Sequence, residues 1–225
     1  CISRGISDRV ANKIFDDMTD FAKYAFNKSH AAAYAVVSYQ TAWLKYYYPV
    51  EFMAALMTSV IDNPSKVAEY IYSCRQMGID ILPPDINKSL TEFSVEDGNI
   101  RYALAAVKSV GAANMDAIIK ERSDKGYFKN LSDFIHRVDA KQINRRQIEQ
   151  LVKAGAFDCF EGLDREDFFA KNNKDESFTE VIIRYGQLFQ NDKKQKSASL
   201  FGDEDESLTI AARPEPIKGE KWSDI

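Results

Sequence analysis

The feature that most constrains this chain is a pair of glycines, each set among small and apolar residues. The first is Gly111, in Val107-Lys108-Ser109-Val110-Gly111-Ala112-Ala113-Asn114, with Ala117 and Ile118 following at helical spacing. The second is Gly155, in Leu151-Val152-Lys153-Ala154-Gly155-Ala156-Phe157. A glycine in such a setting lets the backbone turn sharply and approach another backbone closely. This is the pattern of a helix-hairpin-helix, a tight turn between two short helices, and two such units can pack as a pair. The helix after the glycine points free N–H groups forward, a position that suits a phosphate. A glycine that merely closes one helix fits the same letters.

Paired hairpins can grip the two backbones of duplex DNA. Contacts to phosphate give affinity and position without sequence choice. The expected contacts are Lys108, Val110, Gly111, Ala112 and Ala113 in the first unit, and Lys153, Gly155 and Ala156 in the second. Arg145 and Arg146 are the natural side-chain partners, with a solvated basic helix face as the other reading of them. The net charge of −4 over 225 residues rules out a chain that is basic all over. What matters for nucleic acid is distribution. The acid gathers late, at residues 202–206, whereas Lys141, Arg145, Arg146 and Lys153 cluster earlier.

The remaining patterns predict a mainly α chain. A helix is expected over 7–20 with Ser7 as its cap, then a long one from about His30 with Ser29 as its cap. The long helix carries Ala33, Tyr34, Val36, Val37, Tyr39, Trp43 and Leu44, which predicts burial. Pro49 ends it and opens the next. Asn63-Pro64 starts a further helix that Gly78 closes. A short strand-like run, Ile79 to Leu82, precedes a hairpin whose turn is Asp97-Gly98, the pair a type I′ turn prefers. Helices resume afterwards, with Asn144 as a cap. From about Lys171 the composition is polar. One more helix is expected near 178–190, and the end from 212 reads as a linker.

Several function classes are excluded. No apolar run is long enough to cross a bilayer, and the start has no signal-peptide core. The first residue is Cys1 instead of Met, which reads as a piece of a longer protein. Cys1, Cys74 and Cys159 have no metal-ligand spacing and read as reduced, buried thiols of a cytosolic protein. There is no phosphate loop, G-x-S-x-G or H-E-x-x-H, and no Asp-x-Asp pair sits at a strand end to hold two metals. No catalytic residue and no metal ligand is expected. Asn27-Lys28-Ser29-His30 is the exception to a bland helix start: the helix dipole favours anions there, and these residues suit a triphosphate. His136, flanked by apolar residues, reads as structural.

In order, the motifs are Phe21 to Met57, "ILPPDIN", the hairpin, "VKSVG", "YFKNLSDFIHRVD" and "INRRQIEQLVKAGAFD". This order resembles the C family of replicative DNA polymerases, the bacterial polymerase III alpha subunits. The resemblance runs from about Arg4 to Asp158 and more loosely to residue 201. It implies a DNA-directed DNA polymerase of the bacterial cytoplasm, working with primer–template duplex, incoming deoxynucleoside triphosphate and the other holoenzyme subunits. It places residues 1–104 in the end of the fingers domain, 105–160 in a tandem helix-hairpin-helix module, and 161–225 in a helix and linker. Asn27, Lys28, Ser29 and His30 would then lie near the incoming nucleotide, with Tyr24, Tyr34 and Gln40 as further contacts. A sliding-clamp-binding peptide is implied at residues 197–201, where Leu200 and Phe201 fit an apolar pocket and Ser197 stands in place of the family's Gln. The palm carboxylates, and with them Mg²⁺, are implied to lie outside this chain, and the isolated chain is expected to be inactive.

Overall fold

The structure, a computed structural model, describes residues 2–24, 28–139, 142–198 and 214–222. Its contacts divide the chain into two compact units, one ending at Pro49 and one starting at Val50.

The first unit holds a 3₁₀ turn at Ile2–Arg4, helix α1 (Asp8–Tyr24) and helix α2 (Lys28–Tyr47). The Ser7 carbonyl accepts the opening bonds of α1 from the amides of Val10 and Ala11. Helix α2 starts at Lys28, which puts Ser29 inside the first turn and not at the cap. The expected burial of α2 is not realised: no residue of it is buried, and Tyr39 and Tyr46 are 71% and 78% exposed. The cause lies in the pattern. Apolar residues run all round this helix, and such a helix needs cover on every side, which the described residues do not give.

The second unit opens with α3 (Pro49–Ser59) and α4 (Pro64–Gln76). Asn63 caps α4 by accepting from the Lys66 amide at 3.1 Å. Gly78, at φ +72°, closes it, with the Ile79 amide bonded back to Cys74 O at 2.9 Å. The three-stranded sheet follows in the order β1–β3–β2, from β1 (Ile81–Leu82), β2 (Ser94–Glu96) and β3 (Asn99–Arg101). Asp97 and Gly98 both have positive φ, 51° and 75°, as a type I′ turn requires. The Ile79 to Leu82 run supplies β1, which pairs parallel to β3 with Ile81 opposite Ile100. Met53, Met57, Val67, Cys74 and Ile100 form the core beneath this part.

A second core gathers Ile86, Leu104, Met115, Ile118, Phe134, Ile148, Leu151, Phe157 and Ile182. It is built by α5 (Ala112–Lys125), α6 (Leu131–Arg137), α7 (Arg145–Lys153), a 3₁₀ turn at Arg165–Phe168, and α8 (Phe178–Ala198). His136 lies at the α6–α8 contact, stacked on Phe189 at 3.9 Å and bonded to the Tyr185 hydroxyl at 3.2 Å. The loop 83–89 leads from the sheet, where Pro83 O accepts from Arg101, into the second core, to which Ile86 belongs. Asn87 pairs both ways with the backbone of Phe128, and Ile86 N donates to Ala156 O at 2.8 Å. Arg122, buried, donates to the carbonyls of Ile86 and Ser89.

Cys74 is buried as expected, but Cys159 is exposed as a residue. Its sulfur nevertheless lies near Asn87 Nδ2 at 3.8 Å, and desolvation, with Asp85 nearby, pushes the thiol up to about 12. A thiol so protonated is a poor nucleophile. No helix among the described residues is long and apolar enough to cross a membrane.

Candidate nucleic-acid interface

The first hairpin forms around Gly111, but its leading arm is not a helix. Residues 104–110 are a chain of turns, with Val107 N bonded to Leu104 O and Val110 N to Val107 O. The amides of Leu104 and Ala105 are bonded to the carbonyls of Leu90 and Thr91, which ties the start of this arm to the segment before the hairpin. Ser109, at φ +66°, and Gly111, at φ +75°, then reverse the chain into α5. No side chain caps α5, and its first turn carries no acidic residue. Gly111, Ala112 and Ala113 are exposed, as is Lys108. The first N–H groups of a helix have no partner within it. Among the described residues no side chain caps them and the first turn holds no carboxylate, so donors and dipole are open to an anion.

Helix α7 starts beside this point. Its N-terminus is closed by a capping box: Asn144 Oδ1 accepts from Gln147 N at 3.0 Å, and Gln147 Oε1 accepts from Asn144 N at 2.9 Å. Gln147 is buried, and its Nε2 donates to Val110 O at 3.1 Å. One side chain therefore joins the start of α7 to the residue before Gly111. The Asn-x-x-Gln spacing signals the capping box in the sequence. Nothing local signals the bond to Val110, because its partner is distant in the chain.

The expected contact residues fall into two groups. Lys108, Gly111, Ala112, Ala113 and Arg146 are exposed at the starts of α5 and α7. Arg145 is there too, but its guanidinium is shared by Glu149, at 2.6 Å, and Glu180. Val110, Gly155 and Ala156 are buried, and their backbone groups are engaged within the fold. Gly155 N donates to Val152 O, Ala156 N to Leu151 O, and Ala156 O accepts from Ile86 N. This is a Schellman closure of α7, with Gly155 in the left-handed conformation at φ +88°. The Arg165 guanidinium lies so close over Gly155 that a Cβ there would stand 2.4 Å from Arg165 Nη2. Arg165 also bonds Asp158 Oδ1 through Nε at 2.9 Å. Lys153 is exposed, with its ammonium 5.2 Å from the Phe169 ring.

The residues expected near a nucleotide lie in the first unit. His30 and Tyr34 share a face of α2, their rings 4.5 Å apart, and Gln40 stands about 80° round the axis from His30. Lys28 and Ser29 open the helix, and Tyr24 ends α1. Asn27, Leu200 and Phe201 lie outside the described residues, and Ser197 falls in the last turn of α8.

Two glycine turns, two helices tied near their starts by a buried glutamine, and an uncapped, exposed helix N-terminus are the features of a helix-hairpin-helix region. A family model described as a helix-hairpin-helix motif matches residues 78–168. Among individual proteins, the chain is homologous to one segment of the DNA polymerase III alpha subunit. It is 52% identical to that subunit of Vibrio cholerae over 155 residues, which are 68% of this chain and 13% of the relative. Identity to the Escherichia coli K12 subunit is 53% over 155 residues, again 13% of the relative. The match to the Thermus aquaticus subunit reaches 94% of this chain at 42% identity and covers 17% of that protein. The resemblance read from the ordered motifs is thus borne out, for a stretch far shorter than the relatives.

Proposed function

We propose that this chain is the part of a bacterial replicative DNA polymerase that ends the fingers and holds the duplex product. The parent enzyme would extend a primer 3′ end with deoxynucleotides, and this segment would position the DNA. The observation that carries the reading is the exposed, uncapped start of α5, tied by Gln147 to the start of α7 within the matched helix-hairpin-helix region. The proposed phosphate ligands are the amides of residues 111–114, with Lys108 and Arg146 as the side-chain cations. Arg145 is a weaker partner, because Glu149 and Glu180 already compensate its charge. Lys153 is placed at the far end of α7 and would reach only the flank of a duplex.

Labelled duplex titrated at two salt concentrations is the test. Binding is expected to be independent of sequence and steeply salt-dependent. Lys108→Ala and Arg146→Ala should each lower the slope of log K against log salt by about 1. A chain that leaves the duplex unbound at low salt, or variants that keep the full slope, would overturn the assignment.

Asn27, Lys28, Ser29 and His30, with Tyr24, Tyr34 and Gln40, are proposed to face the incoming triphosphate in the parent enzyme. Residues 197–201 are proposed to bind the sliding clamp, and the other holoenzyme subunits of the bacterial cytoplasm are the wider partners. Among the described residues no group of three or more His, Cys, Asp or Glu could hold a metal ion. The Mg²⁺ ligands of the parent polymerase are proposed to lie outside this chain. The purified chain should show no primer extension with Mg²⁺ and all four deoxynucleotides; robust extension would refute this division of labour.

A further inference from the structure

Residues 214–222, Pro-Glu-Pro-Ile-Lys-Gly-Glu-Lys-Trp, form no regular element, and their composition is that of a linker. They are nevertheless bound. Lys218 Nζ donates to Asp167 Oδ2 at 2.9 Å and to Asp164 Oδ2 at 3.1 Å. Gly219 N donates to Asp167 Oδ1 at 2.9 Å, and Trp222 N to Glu166 Oε1 at 3.0 Å. The Trp222 indole lies against Phe169, ring centroids 5.4 Å apart. Gly219 comes so close that a Cβ there would stand 2.5 Å from Glu166 O and 2.6 Å from its carbonyl carbon. Only glycine fits without displacing backbone.

The seat is selective in its chemistry. Asp167 is 1% exposed, and a carboxylate that deep must be paired. It has three donors: Lys218, the Gly219 amide and the Asp164 amide. Two of the three come from the bound segment, so its departure leaves the carboxylate with one. The remaining contacts are modest. The Lys218 side chain is 66% exposed, and exposed ion pairs are individually weak. Pro214 and Pro216 line a cavity of about 150 Å³ together with Phe160, Leu163 and Tyr185, so this end is not close-packed. A segment held by a few polar contacts beside a void is one that can leave.

The cradle is also part of the second hairpin. The Arg165–Phe168 turn that binds the segment carries Arg165, whose guanidinium covers Gly155, bonds Asp158 and reaches Lys153 O at 3.4 Å. Phe168 packs on Phe157 at 5.9 Å, and Phe169 receives the Lys153 ammonium. The same turn thus holds the segment and the end of α7.

We propose that residues 218–222 are a strap that reads the acidic and aromatic cradle Asp164, Glu166, Asp167 and Phe169, and that its seating fixes the Lys153–Asp158 end of the second hairpin. Release of the strap loosens that end; docking stiffens it. The hairpin is then coupled to the occupancy of the cradle.

Hydrogen exchange on the whole chain tests this without reference to DNA. In the wild type, the amides of Asp164, Gly219 and Trp222 should exchange at least tenfold more slowly than in an unstructured peptide. Gly219→Ala should abolish that protection and, in the same variant, speed exchange severalfold at Gly155, Ala156 and Asp158. Lys218→Met, which adds no Cβ clash, should give the same pattern more weakly and serves if the glycine variant does not fold. Lys221→Met, a change at an exposed lysine of the same strap, should leave all these amides as they were. Unprotected strap amides in the wild type would overturn the proposal. So would a released strap with unchanged exchange at 155–158, or a Lys221 variant that behaves like the Lys218 variant.

Discussion

At the scale of single residues, the buried charges decide most. Arg101 is 9% exposed at its side chain and uses its whole fork: Nε and Nη2 on the Glu96 carboxylate, both at 2.7 Å, and Nη1 on Pro83 O at 2.7 Å. That guanidinium, with Lys88 adding to it, holds the Glu96 carboxyl at about 2, against an ordinary value of 4.5. A carboxyl depressed on folding stabilises the native state above its unfolded pKa, and this is lost as pH falls through the folded pKa. Glu96→Gln should therefore cost about 1 kcal/mol at neutral pH, since the pair is partly solvated. In urea titrations at pH 7, 4 and 2.5, the gap between the two proteins should narrow at each step; a constant gap would mean that the cost is steric. Arg122 works differently, because it meets carbonyls and no carboxylate. Burial pulls its pKa below the usual arginine value. Arg122→Met should cost about 2–4 kcal/mol by leaving the carbonyls of Ile86 and Ser89 buried without donors. Urea midpoints at neutral pH measure it, and a loss under 1 kcal/mol would show that water can replace the guanidinium.

At the scale of elements, the two hairpin glycines separate by what surrounds them. Both have positive φ, so alanine at either is strained, by about 1–2 kcal/mol at the left-handed Gly155 and up to about 3 kcal/mol at Gly111, whose ψ of 138° only glycine adopts readily. At Gly111 a Cβ would meet nothing within 4 Å, because the space in front is open. Gly111→Ala should therefore keep the fold and weaken duplex binding about tenfold by blocking close approach. At Gly155 a Cβ would meet the guanidinium of Arg165 and the Asp158 carboxylate bonded to it, two side-chain ends of a partly exposed ion pair. Gly155→Ala should lose stability too, yet leave duplex affinity within about twofold, since its amide is already spent on Val152 O. Fluorescence anisotropy on both variants distinguishes them; equal losses of affinity would return Gly155 to the interface. The contrast also marks what a sequence can tell. Helix ends and the Asp97-Gly98 turn were legible because their partners lie within a few residues, as Asn63 with Lys66 shows. The parallel pairing of β1 with β3, the Gln147–Val110 bond and the Arg165 cover were not, because each depends on a partner placed by the tertiary fold. The strap was the least legible. Lys218, Gly219 and Trp222 have no periodicity to betray them, and Asp167 looks like any other carboxylate in a polar stretch.

At the scale of the whole molecule, the apolar residues are divided unequally. Both buried cores lie within the second unit, and α2 contributes no buried residue to either. A helix apolar on all faces, as α2 is, suits the interior of a larger body, and the relatives that share its sequence are several times longer than the stretch they share. The sequence signalled the apolar girth of α2 but could not signal what lies against it. If the cores alone carry folding, then the first unit adds little to the stability of the second. A chain begun at Tyr48, just before α3, should unfold in one cooperative transition, with a midpoint within about 5 °C of the 225-residue chain. It should also keep its duplex affinity and salt slope, because α5, α7 and the bond between them are intact. Loss of the Phe15, Phe21, Tyr39 and Tyr46 side chains, all exposed, should raise its solubility as well. Thermal scans and salt titrations of the two chains side by side decide the matter. A broad, early transition in the shorter chain would show that the exposed helices support the cores after all, and a lost salt slope would move part of the duplex grip into the first unit.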